Sequence, residues 1–272
     1  MTRAYQWYYD GASIGGATSK THTLTSGQTD QDRIECRTQV DYGADSVAAL
    51  AEYPAAAGAT FGVTIEQADS ALTTNQTTVT YSAVSWTDAG TLIIPYGTFN
   101  GGGTTLTSIT ADGETATTIS DGADNLDNTV IEATAYEMGA YQADVTSSSG
   151  DVVFTFAASL SSIWKGVLRM TGGEFVDVAY YSAITGANYP TGDIDVVAGG
   201  ALFAFAVSPA FTGGTTDFTN LTADVTPGDV NVGAVDVYYA LETGISTTET
   251  RTITGNRAGS EKGMMLISMG PA

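Results

Sequence analysis

Tyr81-Ser82-Ala83-Val84 returns as Tyr181-Ser182-Ala183-Ile184. Gly102-Gly103-Thr104-Thr105 returns as Gly213-Gly214-Thr215-Thr216, and each is followed by Thr-Ala-Asp, at 110–112 and 222–224. Ala135-Tyr136-Glu137-Met138-Gly139 is echoed by Ala240-Leu241-Glu242-Thr243-Gly244, and Lys165-Gly166-Val167-Leu168 by Lys262-Gly263-Met264-Met265. Five echoes fall in one order at similar offsets, which chance explains poorly. They predict a module of a little under 100 residues present twice, over 76–173 and 174–272.

Bulk properties narrow the class. The chain has 272 residues, 43% of them hydrophobic, enough for packed cores, but only 14% charged, with 32 glycines. Short strands joined by turns suit that mixture better than long helices. No run of ~18 apolar residues is present to span a membrane as a helix. The opening Met1-Thr2-Arg3-Ala4-Tyr5-Gln6-Trp7 lacks the apolar core of a secretory signal, so synthesis and folding in a cytoplasm are expected. A lone cysteine, Cys36, and a lone histidine, His22, exclude an intrachain disulfide and multi-Cys or His-cluster metal sites. A net charge of −21 argues against nucleic acid or anionic lipid as a partner. The charge is uneven. Residues 1–44 carry four basic residues against five acidic, whereas the rest carries five basic against 25 acidic. Docking suits the near-neutral piece, and outward display suits the acidic remainder; a general solubility trait explains the acidity equally well.

From the N-terminus, 5–9 is an aromatic, strand-like stretch closed by the turn signal Asp10-Gly11. Thr21 to Thr25 alternates. So does 33–40, which sets Ile34, Cys36, Thr38 and Val40 on one face. The order Tyr5-Gln6-Trp7-Tyr8-x-Asp10-Gly11, Ile14-x-Gly16-Ala17-Thr18-Ser19, Thr23-Leu24-Thr25, Ile34-x-Cys36-Arg37 resembles the bacterial and phage Ig-like repeat, which decorates tailed-phage structural proteins and surface adhesins. The resemblance implies that Trp7 is the buried strand-C tryptophan and Cys36 the strand-F residue beside it. It departs from the pattern in three ways. The strand-B cysteine is missing, Ile34 stands where a tyrosine corner would have Tyr, and the two strands before strand C have no counterpart. A partial module over 1–51 exposes a sheet face and an edge. Either neighbouring copies or a docking partner complete it, or residues 60–75 supply a strand in cis. Residues 43–59 read as a last strand plus linker, or as a short helix over 46–51 stopped by Pro54, with the linker favoured. Residues 52–75 are then linker and lead-in strand.

Strands are expected at 77–84, 91–96, 104–110, 129–137, 151–157 and 163–170. Val152, Phe154 and Phe156 share a face; so do Phe203, Phe205 and Val207, and Val235, Val237, Tyr239 and Leu241. Met264 to Met269 is apolar on both faces, as in a central strand. The expected fold is all-β: a partial Ig-like module followed by two tandem β-sandwiches of jelly-roll or Ig-like type. The second copy, with its Gly199–Ala206 strand and closing 262–271 run, also resembles a domain of tailed-phage tail fibres and particle appendages.

Chemistry is sparsely signalled. Gly11-Ala12-Ser13-Ile14-Gly15 fits the G-x-S-x-G elbow, but turn residues follow it where a helix is required, so it reads as an inter-strand turn. Asp121, Asp124, Asn125, Asp127 and Asn128 crowd one loop. That is weak Ca²⁺ chemistry, since a solvated turn favours the same residues. Tyr180, Tyr181, Tyr189, Tyr238 and Tyr239 form either a sugar-stacking platform or core. No catalytic or cofactor-binding residue stands out, and no enzyme is expected. The resemblances imply a structural protein of a phage or phage-like particle surface (gene transfer agents included): head spike, head fibre, decoration protein or tail fibre component. Its partners would be virion proteins and copies of itself. The alternative is a carbohydrate-binding adhesin for host surface glycans.

Overall fold

The computed structural model describes residues 3–9, 12–18, 34–40, 49–52, 60–99, 106–121, 126, 129–131, 136–183, 191–209, 218–224, 228–232, 235–255 and 262–272. It is all-β, as expected. Two compact units are present, Met1–Thr60 and Phe61–Ala272.

The first unit holds β1 (Arg3–Tyr9), β2 (Ala12–Ser13), β3 (Ile34–Val40) and β4 (Ala49–Glu52), an antiparallel sheet in the order β2-β1-β3-β4. Trp7 stands opposite Cys36 in register, and Ile34 opposite Tyr9. Residues 49–52 are a strand paired with β3, not the end of a helix; 46–48 and the 21–25 stretch lie outside the described residues. The strand expected in cis from residues 60–75 does not join this sheet. Those residues pair within the second unit.

The second unit begins with β5 (Gly62–Ser85), so the expected lead-in and the 77–84 strand are one 24-residue strand. There follow β6 (Gly90–Phe99), β7 (Leu106–Ala111), β8 (Glu114–Thr115), β9 (Thr117–Thr118), β10 (Thr129–Ile131), β11 (Tyr136–Val145) and β12 (Ser149–Thr171). The last merges the two strands expected at 151–157 and 163–170. Both β5 and β12 pass through two sheets. Residues 162–170 of β12 lie between β6 and the first half of β5, giving a large sheet β10-β11-β6-β12-β5. Residues 152–156 lie between β7 and the second half of β5, giving a small sheet. Register shifts between Thr155 and Ser162 mark where the ribbon crosses over, as bulges do where sheets bend.

The second copy comprises β13 (Gly173–Ala183), β14 (Thr191–Val196), β15 (Ala201–Pro209), β16 (Phe218–Thr219), β17 (Gly228–Val232), β18 (Val235–Thr243), β19 (Glu249–Gly255) and β20 (Lys262–Pro271). Its large sheet is β13-β20-β15-β18-β17 and its small one β14-β19-β16. In the same chain order this repeats the first copy, with β5 split into β13 and β14 and β12 into β19 and β20, while β8 and β9 have no counterpart among the described residues of the second copy. Pairing corrects two of the five echoes. Lys165 to Leu168 and Lys262 to Met265 do occupy equivalent places, each between the first strand and β6 or β15. On that frame Tyr181 pairs Met264 while Val167 pairs Gln67, so Tyr181 is the counterpart of Gln67, not of Tyr81. The Ala135 and Ala240 echoes mark opposite strand ends: β11 opens at Tyr136 and β18 closes at Thr243. Lys165 lies mid-strand rather than opening one, because β12 is continuous. The Gly-Gly-Thr-Thr segments lie outside the described residues.

Three cores result. Val79, Tyr81, Leu92, Ile94, Ile109, Val152, Phe154 and Phe156 fill the first sandwich. Ile194, Val196, Leu202, Ala204, Ala206, Tyr238, Met264 and Leu266 fill the second. The third core lies between the two large sheets. Ile93, Met138, Trp164 and Leu168 from one copy meet Phe203, Phe205, Val207, Val237, Met265 and Ile267 from the other. Both large sheets are therefore buried on both faces, which is why 92–96, 201–207 and 264–267 read as unbroken apolar runs. Trp164 is fully buried and lies 6.0 Å from the Phe205 ring and 5.4 Å from Tyr239. The sheets come so close that a β-carbon on Gly97 would sit 2.7 Å from a Val207 methyl. The two sandwiches are thus one four-layered body rather than two beads in tandem.

Candidate functional site

The residues singled out from sequence are not brought together. Asp121 accepts the Val178 N–H at 3.3 Å; Asp124 and Asp127 lie outside the described residues. Near Asp121, Asp177 accepts the Asp195 N–H at 2.6 Å. Burial, then the neighbouring Asp121 and Asp195, raise the Asp177 carboxyl above its ordinary value despite that N–H. Among the described residues no group of three or more His, Cys, Asp or Glu could hold a metal ion. In the N-terminal sheet Trp7 is buried, and its carbonyl accepts the Ile14 N–H while its own N–H reaches Ala17. Gly15 and Gly16 turn the chain back directly after exposed Ser13, with Gly16 at φ 74°. That geometry is a hairpin and provides none of the strand-to-helix elbow a nucleophilic serine needs.

The tyrosine platform is overturned. Tyr238 is fully buried against Phe218, and Tyr180 and Tyr239 pack on the core between the sheets. Tyr181 packs on the second core and donates its hydroxyl to the Asp193 carbonyl. Tyr189 lies outside the described residues. The period-two pattern identified apolar faces correctly, and an aromatic on such a face is packed rather than presented.

Sequence reading passed over a buried polar cluster in the first sandwich. Lys165 is fully buried. Its Nζ lies 4.4 Å from the Tyr81 ring centroid and donates to Gln67 Oε1 at 3.2 Å. Burial pulls its pKa down from 10.5 to about 8, with Asp69 opposing the shift. Burial, reinforced by Asp69, pushes the Tyr81 phenol up. Next to it, Glu137 Oε1 accepts the Tyr96 hydroxyl and the Leu106 N–H, each at 2.8 Å. These groups stitch β5, β6, β7, β11 and β12 together. Lys165, Tyr81, Tyr96 and Glu137 are buried and act as an internal brace, with half-buried Gln67 at its edge.

An open cleft of about 470 Å³ lies on the second sandwich. Glu242 from the end of β18 forms one wall, Glu249 to Thr252 of β19 the floor, and Asn220 and Thr222, just after β16, the rim. Arg251 organises it. Its Nη1 donates to Glu242 Oε2 at 2.9 Å and its Nε to Glu249 Oε1 at 2.8 Å. Glu242 is itself fixed by the Thr222 N–H at 2.8 Å. Burial works against the Arg251 charge, but the two carboxylates outweigh it and raise its pKa. The Arg251 hydrogen bond holds the Glu249 carboxyl below its ordinary range. Asn220, at φ 59°, hooks its amide onto the Thr252 carbonyl at 2.8 Å.

The first sandwich has a smaller opening of about 260 Å³, lined by Glu114, Thr115, Thr117, Gln142, Ala143 and Asp144, none of them a cation. The larger cleft was missed because its residues come from three separated segments, 220–222, 242 and 249–252. The one available signal was Arg251, one of nine basic residues in the chain, set in a strand of alternating threonines. No family model, curated protein or solved structure matches the chain.

Proposed function

We propose that this chain is a non-enzymatic structural protein of the surface of a phage or phage-like particle. In this reading it is a head spike, head fibre, decoration protein or tail fibre component. The N-terminal sheet attaches it or joins copies, and the acidic double sandwich faces outward. The supporting observation is the core between the two large sheets. It fuses the duplicated module into a stiff body, and the charged groups within that body serve as internal braces. The Ig-like pattern around Trp7 and Cys36 and the near-neutral charge of 1–44 favour attachment at that end. The test is purification of particles from a producing strain, with mass spectrometry and gold-labelled antibody against residues 61–272. Label on head or tail surfaces is expected. Particles free of the chain, with the protein in the cell fraction instead, would reject the reading.

A second reading, a carbohydrate-binding adhesin for host surface glycans, is favoured by the cleft around Arg251. Binding of the purified chain to a glycan array separates the two.

A further inference from the structure

We propose that the Arg251 cleft binds a neutral sugar through a pair of neighbouring hydroxyl groups. The inference rests on the adhesive reading and names its site and ligand class.

Four polar groups of the cleft are left over. Among the described residues, Glu242 Oε1, Asn220 Oδ1, the Thr222 hydroxyl and Arg251 Nη2 carry no hydrogen bond within the protein, while the other ends of the same side chains are fixed. Arg251 is locked by two carboxylates, Glu242 by Arg251 and the Thr222 N–H, and Asn220 by the Thr252 carbonyl. The cleft therefore presents a guanidinium donor beside carboxylate and amide acceptors in one fixed arrangement. A sugar hydroxyl both donates and accepts. Two on adjacent carbons can give their protons to Glu242 Oε1 and Asn220 Oδ1 while accepting from Arg251 Nη2. The recognition groups need no ordering on binding, which lowers its cost. The volume lies in the range of small-molecule sites, roughly 300–1,000 Å³.

Charge selects within the class. Arg251 is matched by Glu242 and outnumbered once Glu249 is counted. Asp193 and Asp195 lie alongside on β14, accepting the hydroxyls of Thr252 and Thr250. Sialic and uronic acids would meet like charge. Among the described residues no aromatic ring lines the cleft, so a single site without stacking energy binds weakly, with a Kd on the order of millimolar. Display of many copies on a particle would multiply that avidity.

The experiment is saturation-transfer NMR on the full chain. The probes are the methyl glycosides of mannose, galactose, glucose and N-acetylglucosamine, with N-acetylneuraminic acid as the anionic comparison. Transfer to at least one neutral probe, strongest at adjacent ring positions, is expected, with none to the acid. Thr222→Val removes only a hydroxyl and should weaken binding about threefold. Asn220→Gly keeps the positive-φ backbone without strain and should weaken it about tenfold. Both should melt with the parent. Thr115→Val, in the cation-free opening of the first sandwich, should change nothing. Array binding that is unaffected by Asn220→Gly and Thr222→Val overturns this site and leaves the adhesive reading standing. Absence of transfer to all four neutral probes together with a blank array overturns both, and preference for the anionic sugar overturns the proposed class.

Discussion

The two sandwiches share one topology and differ in how they hold it. In the first, single strands β5 and β12 serve both sheets, and a buried lysine, tyrosine and glutamate brace the interior. In the second, the same two paths are each broken in two, and the interior is alanine, methionine and aliphatic around the Phe218–Tyr238 ring pair. Splitting a strand frees its ends to become loops, and loops are where clefts form. The copy with broken strands is also the one with the Arg251 cleft.

The contrast can be broken first at what the copies share. Trp164→Ala empties the middle of the core between the large sheets and should cost about 3–5 kcal/mol. Calorimetry should still show one transition for residues 61–272, since neither large sheet keeps its second face covered alone. Two separated transitions in the parent protein would mean that the sandwiches are independent.

The braces come next. The folded-state pKa of Lys165, about 8, lies below the ordinary 10.5, so the unfolded chain holds that proton more tightly. Below pH 8 both states are protonated and the cost of burying the charge is present in full. As pH rises from 8 towards 10.5 that cost is relieved, and stability should increase by roughly 3 kcal/mol at most. The window is best followed from pH 8 to 9.5 by urea denaturation, before tyrosines titrate. Lys165→Met should flatten the slope and leave the second sandwich unchanged.

A smaller effect is expected at Gly97. An added methyl there meets Val207, and Gly97→Ala should cost about 1–3 kcal/mol by wedging the sheets apart. Smallest should be Thr191→Val on the exposed face of β14, which loses the 2.8 Å hydroxyl contact with Thr254 across the strands. A change under about 1 kcal/mol is expected; a larger one would give the small sheet of the second sandwich a structural role.

Alternation made the faces legible. Val152, Phe154 and Phe156 were assigned to one side of a strand and fill the first core, and Phe203, Phe205 and Val207 share the core between the sheets. The double-sided run at 264–269 marked a central strand, and β20 lies between β13 and β15. Period two says which residues share a face but not what covers it, so packing of one copy on the other was hidden. Strand fusion was hidden too, because Ala157 to Ser162 resembles a turn in composition, yet there β12 shifts register without ending. Lys-Gly fell in register, whereas Tyr-Ser-Ala and Ala-x-Glu did not, and the Gly-Gly-Thr-Thr pair lies outside the described residues. The cleft was illegible because hydrogen bonds, not spacing, assemble Glu242, Arg251 and Asn220.

The shared core also sets an order of events during synthesis. The first sandwich is complete at Thr171, yet the outer face of its large sheet, with Ile93, Trp164 and Leu168, is sheltered only by strands that end at Pro271. For the time needed to make a hundred residues, on the order of 5–20 s at typical elongation rates, the nascent chain carries a finished fold with an oily side open to its neighbours. Any cell that makes this protein in quantity must shield that face until the last strand arrives.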